Sequence, residues 1–274
     1  MINETKIVVV GAGNVGWHLS RALSGVEANV LQVYSRLEGR AKRLGDEINV
    51  DYITDLTEVN PDADLYILAV RDAAIEIVAK KIRKRLDAYF DKKIEPLVVH
   101  TSGATPTTVL QPFFKNYGVF YPLQTFSIDR PITFNTLPIC VDAKRHSDVD
   151  LLFKLAQTLT PKVYRISNEE RQILHVAAVI VNNFTNHLYT IANDILQQEN
   201  IDFEILKPLI HETVNKIKQH PPATMQTGPA KRNDETTIQR HLNYLEKHPD
   251  YRKIYELITE SITDDGRSTT NDKR

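Results

Sequence analysis

A run of apolar residues, Ile7-Val8-Val9-Val10, breaks into Gly11-Ala12-Gly13-Asn14-Val15-Gly16, and a helical pattern opens at once over 15–23. No other stretch restricts the fold as sharply. Three glycines at this spacing between a strand and a helix have separate tasks. The first permits a tight turn, the second lets a ligand approach the backbone, and the third lets the helix pack close to the strand. The first N–H groups of that helix are then left for a phosphate. The turn therefore predicts a dinucleotide-binding unit, with the pyrophosphate held by Gly11, Ala12, Gly13, Asn14, Val15 and Gly16.

The pattern that follows agrees. Further apolar runs at 29–34, 65–70, 97–100, 118–121, 137–141 and 162–166 read as strands, and the amphipathic stretches 40–48, 75–88 and 147–159 read as helices. Continuous apolar strands that alternate with helices predict a doubly wound, mostly parallel sheet covered on both faces. The alternation stops after Ser167. From there the periodicity predicts only helices, over 169–198, 203–219, 235–247 and 251–262. Ser167 or Asn168 can cap the first of them, with Glu169 and Glu170 in its first turn. The expected organisation is an α/β Rossmann domain over 1–166 followed by an all-α substrate and dimerisation domain over 167–262. The polar stretch 263–274 is expected to be a disordered tail.

Charge and composition exclude other classes. The formal net charge is −1, with no basic excess that would point to nucleic acid or an anionic membrane surface. The cluster Lys80-Lys81-Ile82-Arg83-Lys84-Arg85 reads as a solvated helix face. A single cysteine, Cys140, allows no intramolecular disulfide and no cysteine-based metal site, and its apolar neighbours make it a buried strand residue. No apolar run approaches the ~18 residues of a membrane span, and Met1–Lys6 lacks the pattern of a secretory leader. A cytoplasmic protein is expected.

The second strand bears on which dinucleotide is bound. A site for NAD usually carries an acid about 20 residues after the glycines, to bind the ribose 2′-hydroxyl. Here the strand ends Gln32-Val33-Tyr34-Ser35-Arg36. Ser35 can donate to a 2′-phosphate, Arg36 can form charge-assisted bonds to it, and Arg40 can add charge one turn later. NADP is the expected cofactor. Two further strand ends should face the same crevice. Ala69, Val70 and Arg71 are expected beside the cofactor. His100, Thr101 and Ser102 are expected at the substrate, although Thr101 or Ser102 can equally cap a following helix that Pro106 opens.

Several segments resemble one superfamily, that of the 6-phosphogluconate and β-hydroxyacid dehydrogenases, pyrroline-carboxylate reductase and ketopantoate reductase. His100-Thr101-Ser102-Gly103-Ala104-Thr105-Pro106 resembles the substrate motif D-x-S-T-x-x-P, with His100 in place of the aspartate and Gly103 in place of the threonine. Tyr121-Pro122-Leu123-Gln124-Thr125-Phe126 resembles the (H/Y)-P-L-Q-T-F segment of a nearer group, the Rossmann-like candidate NADP oxidoreductases with a helical C-terminal domain of unknown function. Thr227-Gly228-Pro229-Ala230-Lys231-Arg232-Asn233-Asp234 resembles that group's T-G-P-x-x-R-x-D loop, and residues 171–184 resemble its first long helix.

The resemblance implies an NADPH-dependent reductase of a small carbonyl or imine compound, a ketopantoate-like 2-keto acid among the candidates. It also implies a homodimer built through the helical half. A non-catalytic NADP-binding sensor or scaffold, and an NADP–deazaflavin oxidoreductase, stay open as alternatives. In the β-hydroxyacid dehydrogenases the first long helix carries a lysine with an asparagine four residues on. The corresponding residues here are Arg171 and His175. Arginine stays protonated and is a poor proton donor but a good carboxylate clamp, whereas histidine titrates near neutrality. Arg171, His175, Asn182 or Asn183, and Asn186 form a polar stripe on an otherwise apolar helix, which a cleft between the two halves would satisfy. The expected catalytic residues are His175, Ser102 and Asn183. His100, Thr101, Arg171, Asn182 and Arg232 are expected to hold substrate. Arg232 has an ion pair with Asp234 as its alternative.

Overall fold

The protein is described from a computed structural model that covers residues 4–89 and 95–271, with backbone alone from 265 onward. The chain divides into two compact units, Met1–Asn182 and Asn183–Arg274.

The first unit is built on eight strands: β1 (Ile7–Val10), β2 (Val30–Tyr34), β3 (Asp51–Ile53), β4 (Leu65–Leu68), β5 (Leu97–His100), β6 (Asn116–Pro122), β7 (Ile139–Ala143) and β8 (Val163–Arg165). Their order across the sheet is β3-β2-β1-β4-β5-β6-β7-β8. Every neighbouring pair is parallel except β6 and β7. The expected doubly wound sheet is therefore present. Along β1, Ile7 and Val9 join one hydrophobic core while Val8 and Val10 join the other. Strands β4 and β5 divide in the same way, with Ile67 and Val99 on one face and Leu68 and Val98 on the opposite one. Burial on both faces is why these segments read as unbroken apolar runs.

Helices α1 (Asn14–Gly25), α2 (Glu38–Ile48), α3 (Asp72–Asp87) and α4 (His146–Leu159) lie within this unit. Strand order reverses between β1 and β4, so the carboxyl ends at Val10 and Leu68 bound the crevice where a doubly wound sheet takes its ligand. Strand β3 has no counterpart among the predicted elements. It is three residues long, and Asp51 and Tyr52 are exposed, so it carries no apolar run to read.

Among the described residues no strand follows β8. The long helix expected over 169–198 forms as α5 (Asn168–Ala178), a π-helical turn (Val179–Phe184) and α6 (Thr185–Gln198) in succession. Its start is fixed by a capping box. The Ser167 Oγ accepts from the Glu170 amide at 3.2 Å, and the Ser167 amide donates to the Glu170 carboxylate at 2.8 Å. Because α5 belongs to the first unit, the boundary between units falls inside this helical run rather than before it.

In the second unit, α6 is followed by α7 (Lys207–Gln219), α8 (Glu235–Tyr244) and α9 (Pro249–Asn271). Pro208 sits in the first turn of α7, where its missing N–H costs nothing. Helix α9 takes in most of the stretch that composition assigns to a tail, and residues 272–274 lie outside the described ones. No helix among the described residues is long and apolar enough to cross a membrane.

Candidate functional site

The glycine turn has the geometry its spacing predicts. Gly11 has φ +122°, a conformation that side chains rarely adopt. A Cβ there would also stand 2.8 Å from the Ala69 carbonyl carbon. A Cβ on Gly16 would stand 2.8 Å from the Gly11 carbonyl carbon. Gly13 differs: nothing lies within 4 Å of where its Cβ would be. That open space adjoins the start of α1, which has no side-chain cap and no acid in its first turn. The amides of Asn14, Val15 and Gly16 are the unspent donors that any helix start leaves. They suit a phosphate.

A cavity of about 470 Å³ opens beside the turn. Gly11, Ala12 and Gly13 form one wall, Ser35, Arg36 and Arg40 another, and Ala69, Val70 and Arg71 a third. Lys81 of α3 lines it too. Lys81 belongs to the basic cluster 80–85 and is exposed, as a solvated helix face requires. Among the described residues four cationic side chains and no carboxylate line the cavity, so its residues fit a dinucleotide with an additional phosphate. The Ser35 Oγ accepts from the Leu37 amide at 3.2 Å, which orients it at the end of β2. Asp72, which could cap α3, is instead its first residue, and Arg71 is the capping position without a side-chain bond.

The loop after β5 is tied from within and from α5. The Ser102 Oγ accepts from the amides of Ala104 (3.2 Å) and Thr105 (2.9 Å), and its hydroxyl donates to the Thr105 Oγ1 (3.0 Å). Ser102 thus closes the loop, and a short 3-10 turn, Thr107–Leu110, stands where a helix is expected. The Thr101 amide donates to the Leu68 carbonyl at 3.2 Å, and its side chain is buried. From α5, Asn168 accepts from the Thr107 amide, Gln172 donates to the Ala104 carbonyl, and Arg171 donates to the Thr105 carbonyl at 2.6 Å and to Asn168 at 2.8 Å. Arg171 is 0% exposed, so it is a structural tie rather than the open carboxylate clamp its chemistry suggested. Among the described residues its Nε and Nη1 have no hydrogen-bond partner. Burial lowers its pKa, while Asp142, Tyr121 and Cys140 oppose that shift.

His100 lies fully buried beneath this loop, and its Nδ1 accepts from the Ser102 amide at 3.2 Å. Burial above all, with the Arg171 charge adding to it, holds the imidazole down to about 3, against a smaller pull from the Pro106 backbone. His100 is therefore neutral and shapes the loop from below. His175, one turn after Arg171 on α5, is half-buried, and its Nδ1 lies 3.1 Å from the hydroxyl of Tyr121 at the end of β6. Burial pushes the Tyr121 phenol up to about 12. Sequence reasoning quoted Tyr121 as part of a motif but gave it no role. Only the fold brings together positions 54 apart.

Asn182 is the last residue of the first unit and Asn183 the first of the second, both inside the π-helical turn. Such turns recur at functional sites. Arg232 is exposed in the second unit, on a loop that Gly228 enters with φ +103°. Its alternative partner is otherwise engaged: Asp234 caps α8, accepting from the Thr237 amide at 3.0 Å and its hydroxyl at 2.8 Å.

Comparison with known proteins adds to this geometry. Residues 2–124 match a Rossmann-like domain, and residues 137–262 match a domain of unknown function, DUF2520. A solved structure from Bacteroides fragilis, named as a candidate NADP oxidoreductase, is 40% identical over 96% of this chain and 100% of its own, with a TM-score of 0.88. A Thermotoga maritima protein is 19% identical over 96% of this chain and 99% of its own, with a TM-score of 0.71. An imine reductase from Myxococcus stipitatus, solved with NADP+, is 14% identical over 98% of this chain and 95% of its own, with a TM-score of 0.66. These last two share the fold. No curated protein matches the chain.

Proposed function

This chain belongs to the family that joins a Rossmann-like domain to DUF2520, represented by the Bacteroides fragilis protein, and on that premise we propose that it is an NADP-dependent oxidoreductase acting on a small carbonyl or imine compound. The observation that carries the reading is the cationic cavity beside an open Gly13, at the switch point of the sheet. The turn of α1 receives the pyrophosphate, and Ser35 and Arg36, with Arg40 and Lys81 beyond them, receive a 2′-phosphate. NADPH, when bound, supplies the hydride.

The chain's own part is orientation and a proton. His175 is the proton donor in this reading. It is half-buried beside the loop after β5, and one of its nitrogens is already held by Tyr121. Ser102 shapes that loop. Arg171 is fully buried and bonded to Thr105 and Asn168, so we assign it to holding the loop rather than to a substrate carboxylate. We further propose a homodimer through the helical unit, because large apolar side chains there stand in solvent, Phe184 at 58% and Leu257 at 68%.

The test is a turnover screen of 2-keto acids and cyclic imines with NADPH and with NADH. Oxidation of NADPH by one of these classes, lost in His175→Gln with NADPH binding intact, supports the reading. Tight NADPH binding with no turnover of either class would instead favour a sensor.

A further inference from the structure

Two departures from the resembled superfamily meet at one point. Gly103 stands where the substrate motif has threonine, and His175 stands on the helix that elsewhere carries a lysine and an asparagine. A Cβ on Gly103 would lie 2.7 Å from the Tyr121 Cζ and 2.8 Å from the His175 Cγ, closer than real Cβ atoms come. Both clashes are with ring atoms. Any larger residue at 103 therefore drives the two rings apart. The glycine, the tyrosine and the histidine belong to one arrangement.

The arrangement has a chemical direction. Tyr121 is buried against Val119, Cys140 and Leu174, and its ring meets that of His175 edge-on, centroids 6.1 Å apart. Among the described residues the His175 Nδ1 is the hydrogen-bond partner found for its hydroxyl. A buried phenol keeps its proton and needs an acceptor for it, and the lone pair of Nδ1 is that acceptor. The neutral imidazole then carries its own proton on Nε2. When the ring is cationic, the same hydroxyl turns and accepts from Nδ1–H. The charged and titratable groups that act on Tyr121 are Cys140 on β7 and Arg171 on α5, and Arg171 in turn faces Asp142 on β7 and the neutral His100 on β5.

We propose that Tyr121 is the positioning residue for His175: it occupies Nδ1 in both protonation states and leaves Nε2 as the nitrogen that exchanges a proton with substrate, while Gly103 supplies the space the pair requires. The inference rests on the reading of His175 as proton donor. In the step itself the Nε2–H bond of the imidazolium breaks, its electron pair stays on Nε2, and the proton forms an O–H or N–H bond on the product. The neutral ring left by this step is transiently the Nδ1–H tautomer, its Nδ1–H on the Tyr121 oxygen, until solvent returns a proton to Nε2; the resting neutral ring has its proton on Nε2.

The tautomer can be read without turnover, by ¹⁵N NMR of histidine-labelled protein, with the His175 signals identified by their loss in His175→Gln. In the neutral ring of the wild type, Nδ1 is expected to show the shift of an unprotonated nitrogen and Nε2 that of a protonated one. Tyr121→Phe should leave a mixture. Gly103→Ala should give the same mixture with both rings present. With a substrate in hand, Tyr121→Phe should lower kcat about 10-fold or more, with KM for NADPH unchanged and a loss smaller than that of His175→Gln. A wild-type ring protonated on Nδ1, a tautomer indifferent to Tyr121→Phe, or a shifted tautomer with full kcat would each overturn the positioning role. Full turnover in His175→Gln would overturn the proton-donor reading instead, and with the tautomer shift still present the two failures are distinct.

Discussion

The Arg171 Nη2 donates to the carbonyl oxygen of Thr105 at 2.6 Å, and through that bond a helix more than sixty residues away in sequence holds the loop that follows β5. The guanidinium is fully buried and also bonds Asn168. Arg171→Ala removes both bonds and takes this donor from the part-buried Thr105 carbonyl, while the Asn168 Oδ1 keeps the Thr107 amide. Each hydrogen bond to a charged group contributes about 1.5–3 kcal/mol, so a loss of about 3 kcal/mol or more is expected. Urea unfolding of the variant measures it, and a loss within about 0.5 kcal/mol would mean that the tie is idle.

Beneath the same loop, His100 makes stability depend on pH. Its folded pKa lies at about 3, below the ordinary 6.5, so the unfolded chain binds the proton first. Stability from this group is complete above about 6.5 and falls as pH drops toward 3. At about 1.4 kcal/mol per pH unit, about 2 kcal/mol is gone by pH 5. His100→Gln should flatten the acid side of a stability–pH profile between those limits. An unchanged slope would show that other groups set it.

The three glycines of the first turn should respond differently to alanine. Gly11→Ala and Gly16→Ala force a side chain against backbone and should destabilise the fold. Gly13→Ala places a methyl in open space, so unfolding should be nearly unchanged while NADPH affinity falls at least about tenfold. Thermal melts paired with cofactor titration separate the two kinds of loss. Equal affinity in Gly13→Ala would place the phosphate elsewhere.

In the proposed reading, Arg36 carries the preference for the phosphorylated cofactor. Arg36→Ala should weaken NADPH binding about 10- to 100-fold and leave NADH binding nearly as it was, the effect of one charge-assisted bond. Lys81→Ala should give a smaller loss of the same sign. Equal affinities for NADPH and NADH in the wild type would refute the assignment.

Sedimentation should report a dimer of the 31.3 kDa chain. Leu257→Glu, which places a charge on the exposed face of α9, should shift the mass toward the monomer. A monomeric wild type would count against association through the helical unit.

Most of the sheet was legible because its strands are buried on both faces, and unbroken runs such as Ile7–Val10 and Leu97–His100 stand out from their surroundings. Helix α5 was legible at its start because two cap residues, Ser167 and Asn168, precede the acids Glu169 and Glu170, while only the fold selects Ser167 as the cap and Glu170 as its reciprocal partner. Position-dependent roles were harder. Arg171 and Lys81 have similar charge, yet one is sealed under a loop and the other lines a cavity, and side-chain type alone does not say which. Tyr121 and His175 meet because β6 and α5 pack together, a pairing that neither local pattern contains. Short elements were hidden for a different reason: β3 has too few residues to show a period, and the π-helical turn keeps a helical composition while shifting the hydrogen-bond spacing from i+4 to i+5.

The sheet order also sets a sequence of events in time. Strand β1 pairs with β2 on one side and with β4 on the other, and the Ala69 amide at the end of β4 donates to the Val10 carbonyl at 2.9 Å. As the chain is synthesised, the glycine turn emerges first but one of its walls is still unmade. Residues 65–70 must arrive and insert beside β1 before the turn is braced. The turn is thus made before it can be finished, and a nascent fragment ending before Leu65 holds the fingerprint without the site.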